Sequence, residues 1–110
     1  MFFNPNSHDS NNDYHLKGVT IQPDIPRAQS RANLVYDGLL AKSGAHSVYA
    51  HVGFGAAWKD TQDIKMSRTS TGFSADIPVQ YADTLNIAFK DCANNWDNNS
   101  GKNYSFDISL

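Results

Sequence analysis

The chain reads as a single all-β domain, a β-sandwich, on three observations. Short segments rich in Val, Ile, Tyr, Phe and Thr recur along it, clusters of Pro, Gly, Asn and Asp separate them, and no stretch keeps an apolar helical period for three turns. Its 110 residues suit one domain of ordinary size and leave no room for a second. Residues 4–15 (NPNSHDSNNDYH) are polar and aperiodic, so residues 1–16 are expected to be a flexible tail and 17–110 the folded sandwich. Strands are expected over 18–22, 32–37, 47–54, 64–67, 73–78, 84–91 and 104–109.

Strand alternation sorts the side chains of these segments into two faces. In 47–54 the even positions Val48, Ala50, Val52 and Phe54 are apolar and face inward, so Tyr49 and His51 share the outward face. In 84–91, Leu85, Ile87 and Phe89 point inward and Asn86, Ala88 and Lys90 outward, while Tyr104, Phe106 and Ile108 supply the inward set of the last strand. The core is thereby accounted for without Tyr49, His51, Trp58 or Trp96.

Composition excludes several classes of function. The net charge of −2 and the scattering of Lys59, Lys65, Arg68, Lys90 and Lys102 among acids give no basic stripe for phosphate neutralisation, so no nucleic-acid partner is expected. Cys92 is the single cysteine and forms no intrachain disulfide, which is compatible with the cytosol. Met1-Phe2-Phe3-Asn4-Pro5 lacks a basic region and a long apolar run, so no signal peptide is expected, and nothing approaches a membrane span. The expected location is cytoplasmic as written, or secreted if the module is excised from a larger exported enzyme.

Residues 93–101 (ANNWDNNSG) set Trp96 alone among carboxamides, a carboxylate and small polar residues. With no large apolar neighbour at strand or helical spacing, its ring is expected to be partly exposed on a polar loop, beside paired donors and acceptors. That combination suits a ligand dense in hydroxyls, above all a sugar. His51 and Tyr49 lie two apart on one strand face, roughly 7 Å from each other; Trp58 follows in the next segment. If that segment and the Asn-rich loop share one end of the sheet, two indoles and an imidazole form a platform for the C–H face of a pyranose, with Lys90, Asp91, Asn95 and Asn98 as hydrogen-bonding edge groups. Taken alone, Trp58 reads as a core residue more readily than as a platform, and His51 as a solvated surface residue.

Three other chemistries are weaker. A glycosidase needs two carboxylates at a fixed separation, and nothing in the pattern pairs Asp76, Asp91 and Asp97, so the chain is not expected to be an enzyme. His46 and His51 differ in strand parity, and the oxygen-rich run 97–101 lacks the spacing of an EF-hand. No metal and no cofactor are therefore expected, with a structural calcium as the most such a run would hold. A β-module for single-stranded nucleic acid would use the same exposed aromatics and is the alternative function.

Taken in order, Val48-Tyr49-Ala50-His51-Val52-Gly53-Phe54-Gly55, Trp58, Met66-Ser67-Arg68-Thr69, Gly72-Phe73, residues 85–91 (LNIAFKD) and residues 94–99 (NNWDNN) resemble a starch-binding domain of carbohydrate-binding module family 25. The resemblance runs from about Val19 to Ile108 and includes the turn Tyr36-Asp37-Gly38-Leu39. It implies an immunoglobulin-like antiparallel β-sandwich that binds α-1,4-glucans such as starch, glycogen and maltooligosaccharides without catalysis. It also implies that His51, Trp58 and Trp96 form the sugar platform, with Tyr49 as a second-tier ring by analogy with the related family 26. Lys90 and the amides Asn95 and Asn98 would then be hydrogen-bonding partners. The implied partners are the polysaccharide itself and an associated amylolytic or glucan-synthesising catalytic domain.

Overall fold

The computed structural model describes residues 11–110, which form two antiparallel β-sheets packed face to face. Nine strands follow in chain order: β1 (Val19–Gln22), β2 (Ser30–Tyr36), β3 (Val48–Phe54), β4 (Lys59–Lys65), β5 (Ser67–Thr69), β6 (Gly72–Val79), β7 (Leu85–Asp91), β8 (Trp96–Asp97) and β9 (Tyr104–Phe106). One sheet runs β1-β2-β6-β5 and the other β4-β3-β7-β8, with β9 also pairing β7. β8 takes Phe89 and Lys90 of β7, and β9 takes Leu85 to Ile87, so these two short strands share one edge of β7.

The expected inward sets fill the core. Val48, Ala50, Val52, Phe54, Leu85, Ile87, Phe89, Tyr104 and Phe106 of one sheet are buried against Val19, Ile21, Leu34, Tyr36, Phe73, Ile77 and Val79 of the other. Tyr36 and Phe89 stack across the interface at 3.9 Å between ring centroids. This alternation holds because each sheet has one dry face, and a register slip of one residue would send every apolar side chain to water.

Several elements depart from the sequence expectation. The strand expected over 64–67 is instead a crossing point: Lys65 ends β4 in one sheet, Ser67 opens β5 in the other, and buried Met66 between them donates its backbone N–H to Val48 O at 2.9 Å. β4 begins at Lys59, earlier than composition suggests, because Lys59-Asp60-Thr61-Gln62-Asp63 is an edge segment whose polar side chains need no core and discourage pairing with another sheet. A short helix, α1 (Leu39–Lys42), buries only Leu40. The last strand stops at Phe106, and Ser109 forms a lone parallel bridge with Arg27.

Of the expected tail, residues 1–10 lie outside the described residues. Asn11–Lys17 is a 3₁₀ helix in which Tyr14 packs edge-on against Tyr104 at 5.1 Å and Phe106 at 5.5 Å and accepts the Ser105 N–H at 3.2 Å. Packing against the sandwich thus starts ahead of Lys17, because the aromatic ring of Tyr14 covers the end of β9. No helix among the described residues is long and apolar enough to cross a membrane.

Candidate functional site

The outward face of the β4-β3-β7-β8 sheet gathers most of the residues singled out by sequence. Cross-strand register sets two rows across it. In one, Asp63 of β4 lies opposite His51 of β3, which lies opposite Ala88 of β7; in the other, Lys65, Tyr49, Lys90 and Trp96 follow one another across β4, β3, β7 and β8. Ala88 faces outward as expected, yet it is buried.

Trp58 reaches this face from the turn after β3. Its backbone N–H closes onto Gly55 O at 3.1 Å, and its φ of 52° is in the left-handed region, unusual for a bulky residue. Such conformations cluster at ligand-binding positions, where surrounding structure offsets their cost. The ring folds back over Gly53: a Cβ added there would stand 2.7 Å from Trp58 Cε3. Glycine at this outward strand position, beside an irregularity in the β3–β4 register, therefore makes the seat for the indole.

Three rings meet around His51. Its imidazole stacks on Trp58 at 5.5 Å between centroids and 28° between planes, and meets Trp96 at 5.5 Å and 89°. Trp58 and His51 are half-buried, and Trp96 is 45% exposed. The expected loop position of Trp96 is corrected: it belongs to the two-residue strand β8, paired with Lys90, and alternation turns Trp96 outward and Asp97 inward.

Asp97 is the anchor of that strand. Buried, its carboxylate accepts the Tyr36 hydroxyl at 2.6 Å, the Tyr104 hydroxyl at 3.0 Å and the Asn99 N–H at 3.3 Å. Tyr36 Oη in turn accepts the Leu40 N–H at 3.0 Å, which ties α1 to the same group. Burial, reinforced by the hydrogen bond to Asp97, holds both phenols well above the ordinary tyrosine range.

The charged groups of the face converge on one carboxylate that sequence reasoning missed. Asp63 Oδ1 lies 2.6 Å from His51 Nδ1, and Oδ2 lies 2.8 Å from Lys90 Nζ. The Lys90 ammonium, then the His51 contact, hold the Asp63 carboxyl below its usual range against an opposing effect of burial. Lys90 Nζ also stands 5.5 Å from the Trp96 ring centroid, within cation–π range. The signal for Asp63 was its strand register opposite His51, which required knowing that β4 starts at Lys59.

The remaining candidates have other first duties. Tyr49 shares the face, half-buried in the row of Lys65 and Lys90, but no ring contact among the described residues joins it to the trio. Asn95 is turned into its own loop: its amide donates to Asp91 Oδ2 at 3.0 Å and its backbone N–H to Asp91 Oδ1 at 2.8 Å, and these bonds keep the Asp91 carboxyl below its usual range. Asn98 Oδ1 accepts the Gly101 N–H at 3.0 Å. Both amides also line clefts that flank Trp96. One, of about 510 Å³, lies among Leu39, Lys42, Asn98 and Ser100; the other, of about 580 Å³, lies among Leu39, Ser43, Cys92 and Asn95. Neither cleft includes His51 or Trp58. Among the described residues no group of three or more His, Cys, Asp or Glu side chains is placed to hold a metal ion.

Comparison with known proteins adds lineage to this geometry. The chain is 32% identical to an α-amylase of Clostridium acetobutylicum over 115 aligned residues, which cover 96% of this chain and 15% of that protein. It is 40% identical to a beta/alpha-amylase of Paenibacillus polymyxa over 68 residues, 59% of this chain and 6% of that protein. The chain therefore corresponds to a small part of either relative. No solved structure gives a significant match. Residues 32–87, which hold His51, Trp58 and Asp63 but end before Lys90 and Trp96, match the starch/carbohydrate-binding module of family 53. With half of its length matched, including two rings and the carboxylate of the outward face, the chain belongs to the starch/carbohydrate-binding module family 53.

Proposed function

We propose that this module binds α-1,4-linked glucans (starch, glycogen and maltooligosaccharides) without catalysis, on the open face formed by His51, Trp58 and Trp96. The observation that carries this is the meeting of three rings, each tryptophan 5.5 Å from His51, on an exposed sheet face with a lysine at its rim. A pyranose packs its C–H groups on such rings while its hydroxyls reach polar groups at the edge. Trp58 is near-parallel to His51 and Trp96 perpendicular to it, so the two indoles are not coplanar. An angled pair follows a bent α-1,4 chain, whereas a flat β-1,4 chain prefers coplanar rings. The likeness to family 25, with its histidine and two tryptophans, supports carrying the platform role to these three residues.

The disposition of the carboxylates supports a non-catalytic role. Asp97 is buried on two tyrosines, Asp91 is turned into its loop and Asp63 is held by His51 and Lys90, so none pairs with another across a pocket. A shallow site holding a few sugars binds weakly, since ordering a flexible chain and displacing water offset the contacts. Retention on a polysaccharide comes from many repeats on one ligand, in an enzyme where the module serves an amylolytic catalytic domain; the two relatives named as amylases support that setting. Titration with maltoheptaose, followed by tryptophan fluorescence at low and high salt, tests the function. Quenching or enhancement that is indifferent to salt is expected. Silence towards maltoheptaose, with salt-sensitive binding of a single-stranded oligonucleotide, would overturn it in favour of the nucleic-acid alternative.

A further inference from the structure

Both oxygens of the Asp63 carboxylate are spent on residues of the proposed ligand site. Asp63 Oδ1 at 2.6 Å from His51 Nδ1 requires a proton between them, because a carboxylate only accepts. In a neutral imidazole that proton fixes the tautomer: Nδ1 is the donor and Nε2 keeps its lone pair. His51 Nε2 makes no hydrogen bond within the described residues, and the side chain is 31% exposed. Lys90, with one of its three N–H groups on Asp63 Oδ2 at 2.8 Å, keeps others for a ligand beside the Trp96 ring.

We propose that Asp63 is the positioning residue of this face, setting His51 Nε2 as an acceptor beside the Lys90 ammonium as a donor, so that the pair reads two neighbouring hydroxyls of one sugar ring. One hydroxyl donates to Nε2 and the next accepts from Nζ. The rings supply contact with any sugar face; this acceptor–donor order supplies the orientation of the residue that sits between Trp58 and Trp96. The inference rests on the sugar-binding reading for its ligand, but its first step, the tautomer, does not.

Long-range ¹H–¹⁵N NMR of the His51 ring in the full chain without ligand reads that first step directly. The wild type is expected as the Nδ1–H tautomer, and Asp63→Ala is expected to revert towards the Nε2–H form that a free histidine side chain prefers. An Nε2–H ring in the wild type, or a tautomer unmoved by Asp63→Ala, overturns the proposal. The second step is read by maltoheptaose affinity. Asp63→Ala should weaken binding about tenfold, as expected for loss of a hydrogen bond to a charged group, with thermal stability nearly unchanged for so exposed a group. Asp63→Asn keeps an oxygen for Nδ1–H but cannot hold the ammonium, so it should keep the tautomer, lose affinity only to the level of Lys90→Met, and add nothing to that variant in the double substitution. Additive losses in the double variant would overturn the coupling. A wild type that ignores maltoheptaose would sink the sugar reading while the NMR result still decided whether Asp63 orders His51.

Discussion

Gly53→Ala tests the ring platform without removing a ring. The added methyl would lie 2.7 Å from Trp58 Cε3, 3.1 Å from Trp58 Cα and 3.1 Å from Thr61 Cγ2. To regain an ordinary contact of 3.4 Å the indole must retreat by about 0.7 Å, and its own backbone, also crowded, cannot simply follow. The backbone of Gly53 itself is not left-handed, so alanine carries no conformational penalty there. A radial gap of roughly 0.5–1 Å forfeits a quarter to a half of a dispersion contact. If sugar stacking resembles base stacking on an aromatic ring, at roughly 1–3 kcal/mol, the loss is on the order of 0.25–1.5 kcal/mol. That corresponds to a dissociation constant about 1.5- to tenfold higher for maltoheptaose. Because the ring is half-buried and free to move outward, the cost should fall on binding more than on stability. Isothermal titration of both proteins, paired with thermal melts, measures each part. Trp58→Ala sets the ceiling for the effect. Affinity and melting temperature both equal to wild type would refute the idea that the Trp58 ring is seated on Gly53 and used from there.

Three further outcomes follow from the same face and its support. Trp96→Ala should reduce maltoheptaose binding by about tenfold or more and leave the melt cooperative, since the ring is 45% exposed; a largely unfolded variant would show that the ring is a core residue. Tyr36→Phe removes the hydroxyl that serves Asp97 and Leu40 and leaves two groups short of a partner, which should cost about 3 kcal/mol in urea denaturation. A loss under about 0.5 kcal/mol would count against the network. Alkali should destabilise the fold from about pH 10 upward: the native phenols of Tyr36 and Tyr104 hold their protons above the ordinary value of 10.0, the unfolded ones release them there, and the unfolded state then binds fewer protons. Thermal melts across pH 8 to 11, repeated for Tyr104→Phe, check this, and a flat wild-type profile would contradict it.

Alternation made much of this site legible before any coordinates. The even residues of β3 and the odd residues of β7 had to be dry, which left Tyr49, His51 and Lys90 on one open face. The isolation of Trp96 among amides marked it as exposed, though not as a strand, because two residues carry no period. Trp58 was ambiguous for a different reason: whether a turn residue folds back on its sheet depends on a left-handed backbone and a bare glycine beneath, and neither is a matter of hydrophobic pattern. Asp63 was hidden because β4 is a polar edge strand, and pairing register is a property of two segments together. Tyr14 went unnoticed within a polar stretch whose single ring found a place on β9.

The buried carboxylate of Asp97 has a consequence for the entropy of binding. Its neighbour Trp96 hangs from a strand of only two residues, which by itself would sway, yet that strand is fastened from beneath by two tyrosine hydroxyls and from its flanks by the Asp91 and Asn98 turns. The indole is thereby held in place before any sugar arrives, and a glucan need not spend contact energy on stilling it. What the ligand must still order is its own chain, so a substitution deep in the sandwich, at Tyr36 or Tyr104, should reach the surface as a weaker grip on starch.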